Sequence, residues 1–240
     1  MLKAIRRSIL AILAVLGLVP TLSFAQGPEP REPGEYLIVS GGVSLWTWEK
    51  WKTEPHDNWW MNFIRASRIR IQQIKEANPQ QQITWLVYRP AYVSRSRQDS
   101  RDYMSLISSV RDAYGVRLMW FDSTHQLINY MNQGQPRDRL KINGFEYFGH
   151  SNKACFLFDY SNIIDSASKV WLHEKDLGQI RRGIFTADAL VRSWGCHTGE
   201  SMSQKFRAAT GATMWGMVGK SQYMTDTLPV HAAMGGRWAR

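Results

Sequence analysis

The chain has little cysteine, few acidic residues and no long apolar run. Only Cys155 and Cys196 occur among its 240 residues, which excludes a disulfide-framework miniprotein and any four-cysteine zinc site. Asp and Glu number 20 against 30 Lys and Arg, for a net charge of +10. The extended apolar run at residues 9–19 is too short to span a bilayer, which takes about 20 residues. There is no internal repeat and no low-complexity block. What is present is a globular composition, 44% apolar and 21% charged, in a length that suits one domain with a real core.

Lys3, Arg6 and Arg7 precede that short run, and Pro20 and Ser23-Phe24-Ala25 follow it. A positive start, a short apolar stretch and a small residue at the cut predict a signal peptide over residues 1–25 and export to the periplasm or the medium. No cysteine lies at the cut to carry a lipid, so no stable membrane anchor is expected after cleavage. Removal of those three positive charges from +10 leaves +7. Residues 26–35 carry three prolines and read as a tether, and residues 36–240 as one α/β domain. Eight Arg or Lys lie between Arg65 and Arg101, spread over a helix, a strand and a loop without aromatic interleaving. A solvated face explains them, and no nucleic-acid partner is expected.

Apolar runs at 36–39, 83–88, 116–121, 142–148, 189–194 and 212–218 read as strands, the last as the final one. Helical spacing covers 56–77 (with Asp57 as cap), 103–113 closed by Gly115, 127–131 ended by Gly134, 170–182, and 200–209 stopped by Gly211. Residues 154–160 look extended. Alternating strands and helices predict a three-layer α/β/α sandwich around a mostly parallel sheet. Sites in such sheets gather where strands end. That directs attention to Gly41 and Gly42, Asp122, His150-Ser151 and Cys196.

His150 and Cys196 are the leading pair. Each follows an apolar strand and adjoins a glycine. One helix is expected between them, so the two strands would lie side by side. An imidazole next to a thiol makes a thiolate nucleophile, and a helix begun by Thr198 or Ser201 would stabilise it.

The turns Phe148-Gly149-His150-Ser151 and Trp194-Gly195-Cys196-His197-Thr198-Gly199, followed by a helix ending Ala208-Ala209-Thr210-Gly211-Ala212, resemble the caspase-type cysteine peptidases of clan CD, the bacterial members most of all. The resemblance spans residues 36–223 in element order, with its distinctive residues at 145–151 and 189–216. It implies a caspase-like sandwich, peptide-bond cleavage without a cofactor or metal, and a peptide or protein substrate. Cys196 would be the nucleophile and His150 the general base and acid. The oxyanion would face the backbone N–H groups of Ser151 and Cys196. Ser151 stands where the family has glycine, which crowds the turn. The caspase pentapeptide around the cysteine is absent, so no preference for aspartate follows.

Other readings remain open at this level. The segment 149–153 half-matches the G-x-S-x-G elbow of serine hydrolases, with Ser151 as nucleophile and His231 and Asp188 as partners. His173-Glu174 opens like a zinc-protease motif, but Leu177 replaces the second histidine. Cys155 either packs inside or bridges to Cys196. Trp46, Trp48, Trp51, Trp59 and Trp60 either wall a cleft or form a core under a loop. The wall version suits a non-catalytic binding protein of the cell envelope. Asp122 and Asp159 would suit a basic substrate side chain, and Trp194 and the glycines at 41 and 42 would line its site. The oligomeric state is open.

Overall fold

A computed structural model describes residues 30–50, 53, 57–160 and 169–240, with the side chains of Thr47 and Trp48 outside that set. The expected signal peptide, most of the tether, Trp51 and His56 therefore lie outside the described residues.

Strand β1 (Glu35–Ser40) leads through a one-turn helix α1 (Trp46–Glu49) to α2 (Asn62–Ala77). Then come β2 (Gln82–Tyr88), α3 (Arg89–Gln98), α4 (Tyr103–Tyr114), β3 (Arg117–Phe121), α5 (Thr124–Gln133) and β4 (Ile142–Phe148). Three short strands follow, β5 (His150–Ser151), β6 (Cys155–Leu157) and β7 (Trp171–His173), and a 3-10 turn over Glu174–Gln179. The chain continues with β8 (Phe185–Ser193), a second 3-10 turn over Thr198–Glu200, α6 (Met202–Thr210) and β9 (Met214–Val218). It closes with β10 (Ser221–Gln222), β11 (Val230–His231) and β12 (Arg237–Ala239).

Seven of these strands form one sheet in the order β12-β9-β8-β4-β1-β2-β3. All neighbours run parallel except β12 against β9. The central strands are near-continuous apolar runs because both faces are covered. Every residue of β1 and β4 is buried. Phe63, Ile64, Ile71 and Ile74 of α2 and Ile107 of α4 pack on one face. Leu127 and Met131 of α5 and Met202 and Phe206 of α6 pack on the other. Helices on both faces of a mostly parallel sheet are the architecture that the strand–helix alternation predicted. Among the described residues, no helix is long and apolar enough to cross a membrane.

Local chemistry sets the element ends. The Asp102 carboxylate accepts from Ser105 N–H at the start of α4, and Gly115 (φ 59°) ends it in a left-handed turn. Four expectations need correction. Helix α2 starts at Asn62 rather than residue 56, and Asp57 does not cap it. Its carboxylate accepts instead from Ser44 N–H (2.7 Å) and Asn62 Nδ2 (2.9 Å). Helix α3 was not foreseen, since its buried face includes Arg95, whose guanidinium is neutralised by Asp99 and by the Ser44 and Asn58 carbonyls. Residues 170–182 are strand and 3-10 turn instead of helix, because β7 pairs antiparallel with β6. Strand β9 is not the last, since β12 adds beyond it.

Among the described residues, two fully buried ion pairs tie α2 and the loop after α5 to the sheet. Glu146 takes Arg70 Nε at 2.5 Å, Trp194 Nε1 at 2.6 Å and the Tyr36 hydroxyl. Burial alone would raise its pKa, but the Arg70 and Arg192 charges and those hydrogen bonds more than offset it and hold the carboxyl at about 2. Glu35 takes Arg137 Nη1 at 2.6 Å and the Tyr130 and Thr84 hydroxyls at 2.5 Å each.

Candidate functional site

Strands β4 and β8 are parallel neighbours, with Tyr147 opposite Ser193 and Trp194 N–H bonded to Tyr147 O at 2.9 Å. Their carboxyl ends therefore deliver His150 and Cys196 to the same rim. What links the two strands is the antiparallel β5–β7 unit and a 3-10 turn, where one helix was expected.

The two turns interlock. Ser151 Oγ donates to Cys196 O at 2.8 Å. It fits because residue 195 is glycine: a Cβ there would lie 2.1 Å from Ser151 Oγ. The crowding expected from serine after the histidine is thus relieved from the neighbouring turn. Gly149 is required in the same way, since a Cβ would meet the Tyr147 hydroxyl at 2.3 Å. That hydroxyl donates to His150 O at 2.6 Å and braces the turn. Across the top, the Tyr223 hydroxyl accepts from Gly149 N–H at 2.9 Å and lies 3.5 Å from Trp194 O. Tyr223 thus clamps both turns.

The imidazole is held on three sides. His150 Nε2 lies 2.6 Å from Asp57 Oδ2, and the two side chains are 14% and 1% exposed. Tyr160 stacks on the ring at 4.3 Å and Phe63 meets it edge-on at 5.0 Å. An ionised Asp57 places the proton of neutral His150 on Nε2 and the lone pair on Nδ1. Asp57 is itself oriented by Ser44 and Asn62, and its own N–H donates to Glu49 Oε2 at 3.1 Å.

The thiol faces donors. Cys196 Sγ receives Ser221 N–H at 3.3 Å and lies 3.4 Å from Ser221 Oγ. The same thiol reaches Ser221 O as donor at 3.9 Å. Among the described residues, no acceptor occupies the Cys196 N–H. His197 takes a left-handed conformation (φ 62°), and its imidazole is tied to Glu200 at 2.6 Å. The expected helix does not follow directly. The 3-10 turn intervenes, Thr198 Oγ1 bonds Gly195 O, Ser201 donates to Glu174, and α6 begins only at Met202. Burial raises the Tyr223 hydroxyl well above its usual pKa against the Gly149 hydrogen bond, and Cys196 and Asp57 both push it further. One hydroxyl therefore feels the thiol and the acid of the imidazole pair together.

Several predicted residues lie elsewhere. Gly41 and Gly42 are buried, and their N–H groups bond Phe148 O and Phe158 O at 2.8 Å each. They pack the fold instead of lining a substrate site. Trp194 is likewise core, its indole on Glu146 and stacked on Phe148. Asp159 and Asp122 flank Tyr88, whose hydroxyl is raised first by burial and then by both carboxylates. The serine-hydrolase set is not assembled. Asp188 holds Arg31 and Glu32 N–H near the start of β8, and His231 packs on Trp238. Cys155 and Cys196 are both free thiols. Trp60 stacks on Tyr103 in the core, while Trp46 is exposed. Among the described residues, no group of three His, Cys, Asp or Glu is placed to hold a metal ion. Sequence reasoning missed Asp57, Tyr160, Ser221 and Tyr223 as site residues. Asp57 alone left a signal, as an acid at a loop end, and it was read as a cap.

Fold and rim together define an α/β protein with a thiol, an imidazole and a buried carboxylate at the carboxyl ends of adjacent parallel strands. Comparison with protein-family models, with characterised proteins and with solved structures found no match to this chain.

Proposed function

We propose that this chain is an exported cysteine peptidase with a caspase-like fold, of the clan CD kind. One observation carries the reading. The His150–Asp57 pair, with Nε2 held at 2.6 Å, ends the strand next to the one ending in Cys196, and Ser151 bonds the two turns together.

The chemistry follows from those atoms. His150 Nδ1 takes the Cys196 proton, and Sγ adds to the carbonyl carbon of the scissile bond. The carbonyl electron pair moves onto oxygen, which faces the Cys196 and Ser151 N–H groups. When the pair returns, the C–N bond breaks and the imidazolium gives its proton to the leaving amine. Water, deprotonated by His150, then attacks the thioester and releases the acid and the thiol. Asp57 stabilises the imidazolium of each half-reaction while remaining ionised. The substrate is a peptide or protein. No cofactor or metal enters these steps.

A Cys196→Ala variant is expected to lose hydrolysis of a peptide mixture by roughly a thousandfold or more. Activity retained in that variant overturns the proposal. Labelling by an iodoacetamide probe at neutral pH separates the reading from a binding-only protein. Burial, with Glu174 and Asp176, pushes the Cys155 thiol up to about 11, so an active Cys196 reacts much faster. Equal rates favour the binding-only reading.

A further inference from the structure

The Cys196 thiol is held by one residue. Among the described residues, every hydrogen-bond partner of Sγ is an atom of Ser221: its N–H at 3.3 Å, its Oγ at 3.4 Å and its carbonyl oxygen at 3.9 Å. Ser221 belongs to a C-terminal arm, residues 219–239, that runs from the end of β9 through β10 and β11 to β12. Three atoms of one residue thus wrap one side of the sulfur, and whatever holds the arm holds them there.

The arm is pinned at His231. In the antiparallel pair of β10 and β11, His231 lies opposite Ser221, and Ala232 N–H extends the ladder to Lys220 O at 2.9 Å. The ring of His231 is wedged between this hairpin and the start of β12. Trp238 meets it edge-on at 5.9 Å. Gly236 lies so close that a Cβ there would stand 2.6 Å from His231 Cβ and 2.8 Å from Nδ1. Trp238 in turn packs on Trp194, which leads into the Cys196 turn.

The wedge has a chemical weakness. Both ring nitrogens of His231 are shielded from water, and among the described residues neither has a hydrogen-bond partner. A neutral ring leaves one donor and one acceptor unmade. An imidazolium is far worse off, because it brings two donors and a charge to a place with no acceptor. The surrounding charges give no relief. Lys220 and Arg237 are cations, and Arg240 lies over Trp215. Asp226 is tied to Arg65 at 3.0 Å, Glu200 to His197 and the Gly219 N–H, and the Tyr223 hydroxyl to Gly149. Burial accordingly lowers the His231 pKa from its ordinary 6.5. An opened arm regains the ordinary value, so the open form binds the proton more tightly and gains ground as pH falls below 6.5.

We infer that His231 is an acid-sensitive latch on this arm: its protonation parts β11 from β10 and lifts Ser221 off the Cys196 sulfur. The latch acts on the thiol itself. As control of a peptidase it rests on the function proposed above, so its test reads backbone and sulfur rather than hydrolysis.

Amide hydrogen exchange of the full chain, divided by the intrinsic rate at each pH, gives the opening of the arm directly. Between about pH 7.5 and about pH 5.5, residues 219–239 are expected to exchange roughly threefold to tenfold faster, while β1 and β4 stay unchanged. His231→Phe keeps a ring beside Trp238 but takes no proton, and is expected to abolish the rise; His231→Gln does the same with a slimmer side chain. Gly236→Ala presses on the ring and is expected to speed exchange of the arm already at neutral pH. The Cys196 alkylation rate of the wild type, taken relative to His231→Phe, is expected to rise by about threefold or more over the same interval. A flat wild-type profile, or the same rise in both His231 variants, overturns the latch. A constant alkylation ratio overturns its hold on Cys196. A rise in exchange in a protein without hydrolytic activity supports the latch and counts against the peptidase reading alone.

Discussion

The two rims of the sheet hold similar chemistry to different ends. At the amino rim, Glu35 is 1% exposed and is enclosed by Arg137, Tyr130 and Thr84. At the carboxyl rim, Asp57 is equally buried, but one of its oxygens faces a histidine that reaches solvent. The first network closes on itself and can only hold β1, β2 and α5 together. The second has an outlet, and a proton arriving at His150 changes a charge that a buried carboxylate already faces. The lesson is that burial of an acid does not mark a site; the partly exposed partner does.

Breaking the closed network gives the largest effect on stability. Arg137→Met strands the Glu35 carboxylate and should lower the unfolding free energy by about 3–5 kcal/mol, read by urea denaturation, with turnover of the folded fraction unchanged. Asp57→Asn should do the reverse. It removes the imidazolium's counter-charge and should reduce kcat by roughly 10- to 100-fold with a smaller change in KM, while the melting temperature moves by only a few degrees. If Asp57→Asn unfolds the protein and leaves kcat of the survivors intact, the two rims do the same job and the contrast fails. A smaller effect sharpens it through pH. Glu146 titrates near 2 when folded against about 4.5 unfolded, so the unfolded chain binds more protons between those values. Its contribution is complete above about 4.5 and is lost as pH falls towards 2. Denaturation curves collected from pH 7 to 3 should show this acid limb, and Glu146→Gln should flatten it.

Much of the frame was legible because burial on both faces leaves an unmistakable mark. The runs at 36–39 in β1 and 83–88 in β2 are apolar almost throughout, and Gly115 and Gly211 end their helices in left-handed turns. Helix α3 was invisible for the opposite reason: its buried side carries Arg95, tyrosine and alanine instead of an aliphatic stripe. Residues 170–182 show helical spacing, but cross-strand pairing with β6 overrode it. His150 and Cys196 could be singled out because a glycine beside a strand end is a local signal. Asp57 is 93 residues from His150, and Tyr223 is 74 from Gly149. No local pattern announces a contact that only folding creates.

The fit of Ser151 against Gly195 also bears on the order in which this rim can change over generations. While serine occupies 151, any side chain at 195 collides with its hydroxyl. A lineage must therefore first shrink residue 151, and residue 195 still has to accommodate the Gly149 carbonyl 3.2 Å from any Cβ there, whereas the reverse route passes through a damaged intermediate. Descendants should accordingly show glycine at 151 with 195 either kept or altered, and should not show serine at 151 beside a bulky 195.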